Sequence, residues 1–237
     1  MVKKKAKAPI KSKELKLGEL IGTGWEIYKK NFKLFLFIIL IIYLPINIIL
    51  NLVPGTSETF GGVMAYLRLT QILELVLGII ATMAIAYAVN KIVNHKKPEL
   101  WESIKSALLV WDKAILTALL AGLILIVLYL LLIIPGIIYS VYYTFALYTV
   151  ILKDKKYKKA LDYSKSIVKG RWWRVFGIII VVTLLFSFVA GIISSPIAIY
   201  ENYITNVISD TVFDIIYALQ TIVFAVLFIN LSSIKKA

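Results

Sequence analysis

The sequence predicts an all-α, polytopic helical membrane protein, with six transmembrane helices and three amphipathic interfacial helices on the cytoplasmic side. Three observations carry this. Hydrophobic residues make up 60% of the 237-residue chain and charged residues only 17%, with mean hydropathy +0.87; soluble domains are about half apolar and a quarter charged. Between Lys113 and Lys153 lie 39 consecutive residues without Asp, Glu, Lys or Arg, well beyond the ~20 that one crossing of a ~30 Å hydrocarbon core needs. All but one of the 27 Lys and Arg residues fall on one side of a six-span topology. A soluble globular enzyme and a disordered basic protein are both excluded.

Residues 1–16 carry seven Lys and read as a flexible basic tail. They are not a cleavable signal peptide, because the apolar run starting at Phe32 is span-length and no small-residue cleavage pattern interrupts it. Residues 17–237 read as a single six-span membrane domain. The spans fall at 34–53, 69–89, 114–134, 136–152, 175–194 and 212–231, the length of helical crossings with modest tilt. Strands are excluded as spans because no segment alternates in hydrophobicity over ~10 residues. Gly61-Gly62, between the first two spans, marks a turn. Pro135-Gly136 divides the long uncharged run, since proline breaks the hydrogen-bond ladder and glycine tolerates a turn. An undivided helix there would be ~58 Å long, too long for a bilayer.

Orientation follows from the basic residues. The segment through Lys33 has ten, 91–113 has five, 153–174 has nine and the C-terminal tail has two; only Arg68 lies on the other side. This bias places both termini in the cytoplasm and the chain in the cytoplasmic membrane. The net charge of +14 is then an orientation signal, and no nucleic-acid partner is expected.

Three segments outside the spans have apolar residues at spacings of three and four, the mark of a helical face. Leu17, Leu20, Ile21, Gly24 and Tyr28 form the first. Leu100, Trp101, Ile104, Leu108 and Trp111 form the second, after Pro98. Tyr157, Ala160, Leu161, Ser164, Ile167 and Val168 form the third, ending at Gly170, where a C-cap glycine belongs. Each directly precedes a span and is rich in Trp, Tyr or Lys, the residues of the headgroup level. The alternative is a helix packed on a partner protein; the cationic polar faces favour lipid. The expected interfacial residues are Trp25, Trp101, Trp111, Lys158, Lys159, Lys165, Lys169, Arg171, Trp172, Trp173 and Arg174, facing the bilayer and its anionic headgroups. The chain thus reads as three repeats of one unit, an interfacial helix followed by two spans, with weak identity among the units.

Two stretches carry a family likeness. One runs from Leu17-Gly18-Glu19-Leu20 through Trp25-Glu26-Ile27-Tyr28-Lys29-Lys30-Asn31-Phe32. The other runs from Ile134-Pro135-Gly136-Ile137 through Ala160-Leu161-Asp162-Tyr163-Ser164 to Val168-Lys169-Gly170-Arg171-Trp172-Trp173-Arg174. With these the chain resembles the membrane domain of glycerophosphoryl diester phosphodiesterases and its stand-alone six-span relatives, over nearly the whole chain in layout and about a third of it in motif. Relatives often carry an acidic residue directly after the fourth span and a basic one within it; Lys153-Asp154 and Tyr142-Tyr143 stand there instead. The resemblance implies a six-span fold and no catalytic residues, and no segment remains that could form the phosphodiesterase domain.

Little chemistry is visible. There is no Cys, hence no disulfide or thiol nucleophile. The only His, His95, lies beside Lys96 and Lys97, and a lone loop His is not a metal site. No phosphate-binding loop, dinucleotide fingerprint, zinc-protease or nucleophile-elbow motif occurs. The chain is therefore expected to be no enzyme and to bind no metal or cofactor. The informative residues are the polar ones within spans. Glu74, Gly78, Thr82 and Ala86 share a face, as do Asp214, Ala218, Thr221 and Ala225, and Thr183, Ser187, Gly191 and Ser195; small-residue faces are expected to look inward. Glu74, Asp214, Asn47, Asn51, Tyr139, Tyr142 and Tyr143 lie near the outer ends of their spans. They form either an outward-opening polar pocket or scattered near-interface side chains reaching water, and the second is the more ordinary arrangement. The tyrosines are the expected hydrogen-bond donors to a buried Glu74. The leading expectation is a non-enzymatic membrane protein that binds anionic lipid and organises or anchors partners. The rival is a transporter of a small solute or lipid that uses the polar cluster. The identity of a protein partner cannot be read.

Overall fold

The computed structural model describes residues 13–52, 60–199 and 202–234. Among the described residues every regular element is a helix. Six segments are long and apolar enough to cross a membrane: Phe32–Leu52, Phe60–Val93, Trp111–Leu131, Ile133–Lys153, Trp172–Ile197 and Tyr203–Ile234. The chain is a multi-pass membrane protein.

The order is α1 (Leu17–Lys30), α2 (Phe32–Leu52), α3 (Phe60–Leu73), a π-helical turn (Glu74–Gly78), α4 (Ile79–Val93), α5 (Leu100–Leu108), α6 (Trp111–Leu131), α7 (Ile133–Tyr143), α8 (Ala146–Lys153), α9 (Tyr157–Val168), α10 (Trp172–Ala198) and α11 (Tyr203–Ile234). The three units are thus α1–α4, α5–α8 and α9–α11. Each consists of an amphipathic helix, an outgoing helix and a returning helix, and two of the returning helices are interrupted.

The amphipathic helices bury much of their apolar faces on protein, although Trp101 and Leu108 of α5 and Tyr157 of α9 stay exposed. Each packs on the returning helix of a different unit: α5 on α4, α9 on α7 and α8, and α1 on α11. The three units therefore close on one another in a ring. One register recurs at each joint. Gly24, Ser103 and Ser164 are buried, and each stands eight residues before the first residue of the outgoing helix, Phe32, Trp111 or Trp172. At or beside that elbow an aromatic donor reaches a backbone carbonyl of the neighbouring returning helix. Tyr28 Oη donates to Ile215 O (3.1 Å), Trp111 Nε1 to Val76 O (2.5 Å) and Trp172 Nε1 to Ile138 O (3.1 Å). The short residue of each amphipathic helix lets the backbones approach; an added Cβ on Gly24 would stand 2.6 Å from Val223 Cγ2.

Three helices exceed the expected spans, chiefly at residues 60–68 and 203–211, and α3 buries none of its residues. Phe60–Val93 has 34 residues, or ~51 Å of helix, more than a ~30 Å core requires. The last parts of α4 and α11 are enclosed by protein: Met83, Ala84, Ala88, Ile222, Val223, Val226 and Phe228 are fully buried.

Other differences are local. The break between α6 and α7 falls at Leu132, which is extended. Pro135 sits in the first turn of α7, where a missing N–H leaves no bond unmade. Gly136 lies against the Tyr129 ring. Gly61 and Gly62 lie in the first turn of α3 rather than in a turn between spans. The returning helix of the second unit is interrupted at Thr144–Phe145, and Ser164 of α9 bridges the gap. Its Oγ donates to Tyr142 O (2.6 Å) and accepts from Phe145 N (3.1 Å). The basic tail lies outside the described residues as far as residue 12, but residues 13–16 are held. Asn230 Oδ1 accepts from Leu15 N (3.1 Å) and Asn230 Nδ2 donates to Lys13 O (2.7 Å).

Candidate functional site: a polar ladder within the spans and a cationic face

Two polar stripes meet between α2 and α11. Asn47 and Asn51 are one helical turn apart, as are Asp210 and Asp214, and the helices run antiparallel. Asn47 Nδ2 therefore donates to Asp214 Oδ2 (2.8 Å) and Thr211 Oγ1 (3.3 Å), and Asn51 Nδ2 to Asp210 Oδ2 (2.8 Å). Asn47 is 5% exposed, so these bonds satisfy amide groups that would otherwise be costly to bury. Tyr43, one turn before Asn47, donates to Glu74 Oε2 (3.3 Å). The π-helical turn begins at Glu74, and the carboxylate lies so close against Gly78 that a Cβ there would overlap Oε2.

Four expected members of the outer cluster, Glu74, Asp214, Asn47 and Asn51, thus belong to this polar network. Two expectations about it need correction. Glu74 is exposed rather than enclosed, and its donor is Tyr43. Tyr139, Tyr142 and Tyr143 gather elsewhere, around Lys165 of α9. Lys165 Nζ donates to Tyr139 Oη (3.1 Å) and lies 4.6 Å and 5.5 Å from the ring centroids of Tyr139 and Tyr142. The Tyr139 bond holds the Lys165 ammonium above the usual lysine range. The separation has a simple cause: α7 packs on α9 and α10, whereas Glu74 faces α2. Sequence reading missed Tyr43, Asp210 and Thr211. The matched four-residue spacing of Asn47/Asn51 and Asp210/Asp214 was the available signal.

The small-residue faces divide. Gly78, Ala86, Ala218 and Ala225 are buried as expected, but α10 turns Val182, Phe186, Ala190 and Ser194 inward. These precede the expected Thr183, Ser187, Gly191 and Ser195 by one residue each. Ser194 O accepts from Ser209 Oγ (3.1 Å) of α11. Close contact of α10 with α11 decides that register, and residue size alone does not.

The expected interfacial residues also divide. Trp25, Trp101 and Trp173 are exposed, as are Lys158, Lys159 and Lys169. Trp111 and Trp172 are instead half-buried joints of the ring, and Lys165 is held by tyrosines. Arg171 Nε and Arg174 Nη1 both donate to the Glu14 carboxylate, and Arg174 Nη2 donates to Leu15 O (2.5 Å). On the same face, Glu102 of α5 accepts from Tyr87 Oη (2.9 Å) and Lys91 Nζ (2.6 Å). The bonds from Lys91 and Tyr87 hold its carboxyl below the usual range. Burial of Tyr28 under α11 pushes its phenol up to about 12.

Among the described residues no group of three His, Cys, Asp or Glu could hold a metal, and His95 is exposed in a left-handed turn after α4. A cavity of about 240 Å³ opens near the ends of α4, α8 and α11, lined by Asn90, Asn94, Lys153, Phe228, Ser232 and Ser233. Helix carboxyl ends favour a cation, and Lys153, 5.9 Å from the Phe228 ring centroid, supplies one from the chain itself. No family model, no curated protein and no solved structure matches the chain.

Proposed function

We propose that the chain is a non-enzymatic protein of the cytoplasmic membrane, with both termini in the cytoplasm, that binds anionic lipid headgroups and organises or anchors partners there. The resemblance to phosphodiesterase membrane domains and their stand-alone relatives implies no catalytic residues, which suits the non-enzymatic part of this reading. One observation carries the reading. The amphipathic helices bury much of their apolar faces on their own bundle and leave a cationic surface, Lys29, Lys30, Lys158, Lys159 and Lys169, exposed beside Trp25, Trp101 and Trp173. Each Lys or Arg near an anionic leaflet contributes roughly 1 kcal/mol of attraction, and tryptophans settle at headgroup level.

The test is lipid selectivity of the reconstituted full chain, read with spin-labelled lipids. Phosphatidylglycerol should be enriched over phosphatidylcholine at the protein boundary, and the preference should fall with salt. Equal partition at low salt would overturn the reading.

A second reading, transport of a small solute or lipid, is favoured by the Asn47/Asn51–Asp210/Asp214 ladder and Glu74, because ionisable groups in spans commonly mark pathways. It predicts flux into proteoliposomes that Asp214→Asn abolishes while the fold is kept. Flux unaffected by that change would exclude the ladder as the pathway.

A further inference from the structure

The joint between α9 and α10 holds an anion supplied by the chain itself. Arg171 and Arg174 grip the Glu14 carboxylate from opposite oxygens, across more than 150 residues of sequence. Arg171 is also the N-cap of α10, and no side chain caps that helix. Positive potential from the helix end therefore adds to two guanidinium charges. One carboxylate does not neutralise this site. A phosphate carries more acceptor oxygens and suits the planar fork of arginine. The neighbouring Trp173 is 79% exposed, as a headgroup-level tryptophan is.

The Glu14 side chain is also dispensable to its own segment. Residues 13–16 are tied by the two Asn230 bonds and by Arg174 to Leu15 O. The Lys16 N–H is capped by Glu19 (2.8 Å). Glu14 can swing out while the segment stays in place, giving up only its bonds to the two guanidinium groups.

We propose that Arg171 and Arg174 form a phosphate-recognition site for an anionic lipid headgroup, and that Glu14 is an internal occupant which the phosphate displaces. This rests on the lipid-binding reading above and deepens it from a diffuse cationic surface to one defined site. The carboxylate sets a threshold: a zwitterionic headgroup, whose own ammonium opposes the guanidinium charges, does not displace it, and an anionic phosphate does.

The experiment uses the full chain in detergent, with phosphatidic acid and phosphatidylglycerol as probes and phosphatidylcholine as reference. Retained lipid is counted by native mass spectrometry. Glu14→Gln should raise retention of the anionic lipids up to about fivefold, the range of a partly exposed ion pair. The double variant Arg171→Lys, Arg174→Lys keeps both charges but removes the forks, and should lower retention towards that of phosphatidylcholine. Its boundary selectivity for spin-labelled phosphatidylglycerol should stay that of the unaltered chain, which also reports a folded protein. Millimolar inorganic phosphate should leave the retained lipid in place. Displacement by inorganic phosphate at equal concentration would assign the site to a free anion and overturn the headgroup claim. Retention indifferent to Glu14, Arg171 and Arg174 alike, with boundary selectivity intact, would overturn the site and leave the broader reading standing. Loss of boundary selectivity in the unaltered chain would remove the broader reading.

Discussion

Ser164→Ala isolates what holds the second unit's returning helix together. Ser164 is fully buried, and its hydroxyl makes two bonds across the interruption between α7 and α8, at 2.6 Å to Tyr142 O and 3.1 Å from Phe145 N. Removing one oxygen creates almost no cavity, so the cost is the polar one. The Phe145 N–H loses its acceptor in a buried setting, at ~1–3 kcal/mol, and the bond to Tyr142 O adds ~1 kcal/mol. The sum is about 2–4 kcal/mol. Ser103 provides the control because it holds the same register in α5 and is equally buried. Its hydroxyl bonds only Glu99 O of its own helix (2.7 Å), a carbonyl that also accepts from Ser103 N (3.0 Å). Ser103→Ala therefore orphans nothing and trades a weak helix former for a strong one, with a change within ~0.5 kcal/mol. Equilibrium unfolding in mixed micelles of rising SDS fraction, followed by tryptophan fluorescence, gives both values. Equal effects of the two substitutions would refute the bridging role and with it the account of the α7–α8 interruption.

Gly24→Ala should destabilise by ~1–3 kcal/mol through the clash with Val223 and be relieved in the double variant with Val223→Ala, whereas Gly22→Ala, with nothing within 4 Å, should be neutral or stabilising; the same unfolding assay reads all three. Glu102 has its carboxyl pKa held below the ordinary 4.5 by Lys91 and Tyr87, so its contribution is present above that value and is lost as the pH falls through the depressed folded value; Glu102→Gln should reduce the acid dependence of the unfolding midpoint below about pH 4.5, and an unchanged pH profile would contradict the assignment. The chain contains no cysteine, so single cysteines report topology directly: one at Lys158 should react with an impermeant thiol reagent only from the cytoplasmic side and one at Leu132 only from the opposite side, and labelling of both from one side would overturn the six-span orientation. Asn47→Leu should leave the Asp214 carboxylate without its 2.8 Å donor and destabilise more than Asn51→Leu, because Asn47 is buried and Asn51 only half so; the reverse order in unfolding assays would contradict the ladder.

Sequence alone determined what depends on hydropathy and local period. Six apolar segments, the division of the uncharged run near Pro135 and three amphipathic stripes followed from composition and spacing, because a bilayer demands ~20 apolar residues per crossing and a half-covered helix repeats every 3.6. The positions of Glu74, Asp214, Asn47 and Asn51 as unusual polar residues were legible for the same reason. What covers each stripe was not legible, because periodicity shows that a face is apolar and says nothing about whether lipid or protein lies against it. Tertiary structure alone decided that α1, α5 and α9 pack on the returning helices of other units. It also paired Asn47 and Asn51 with Asp214 and Asp210, drew the three tyrosines to Lys165 instead of Glu74, and set α10 one residue off its small-residue face. Each of these contacts joins segments far apart in the chain. They were chosen by the mutual fit of helix surfaces and by the cost of leaving a buried donor or acceptor unpaired, quantities that exist only once the helices have been brought together.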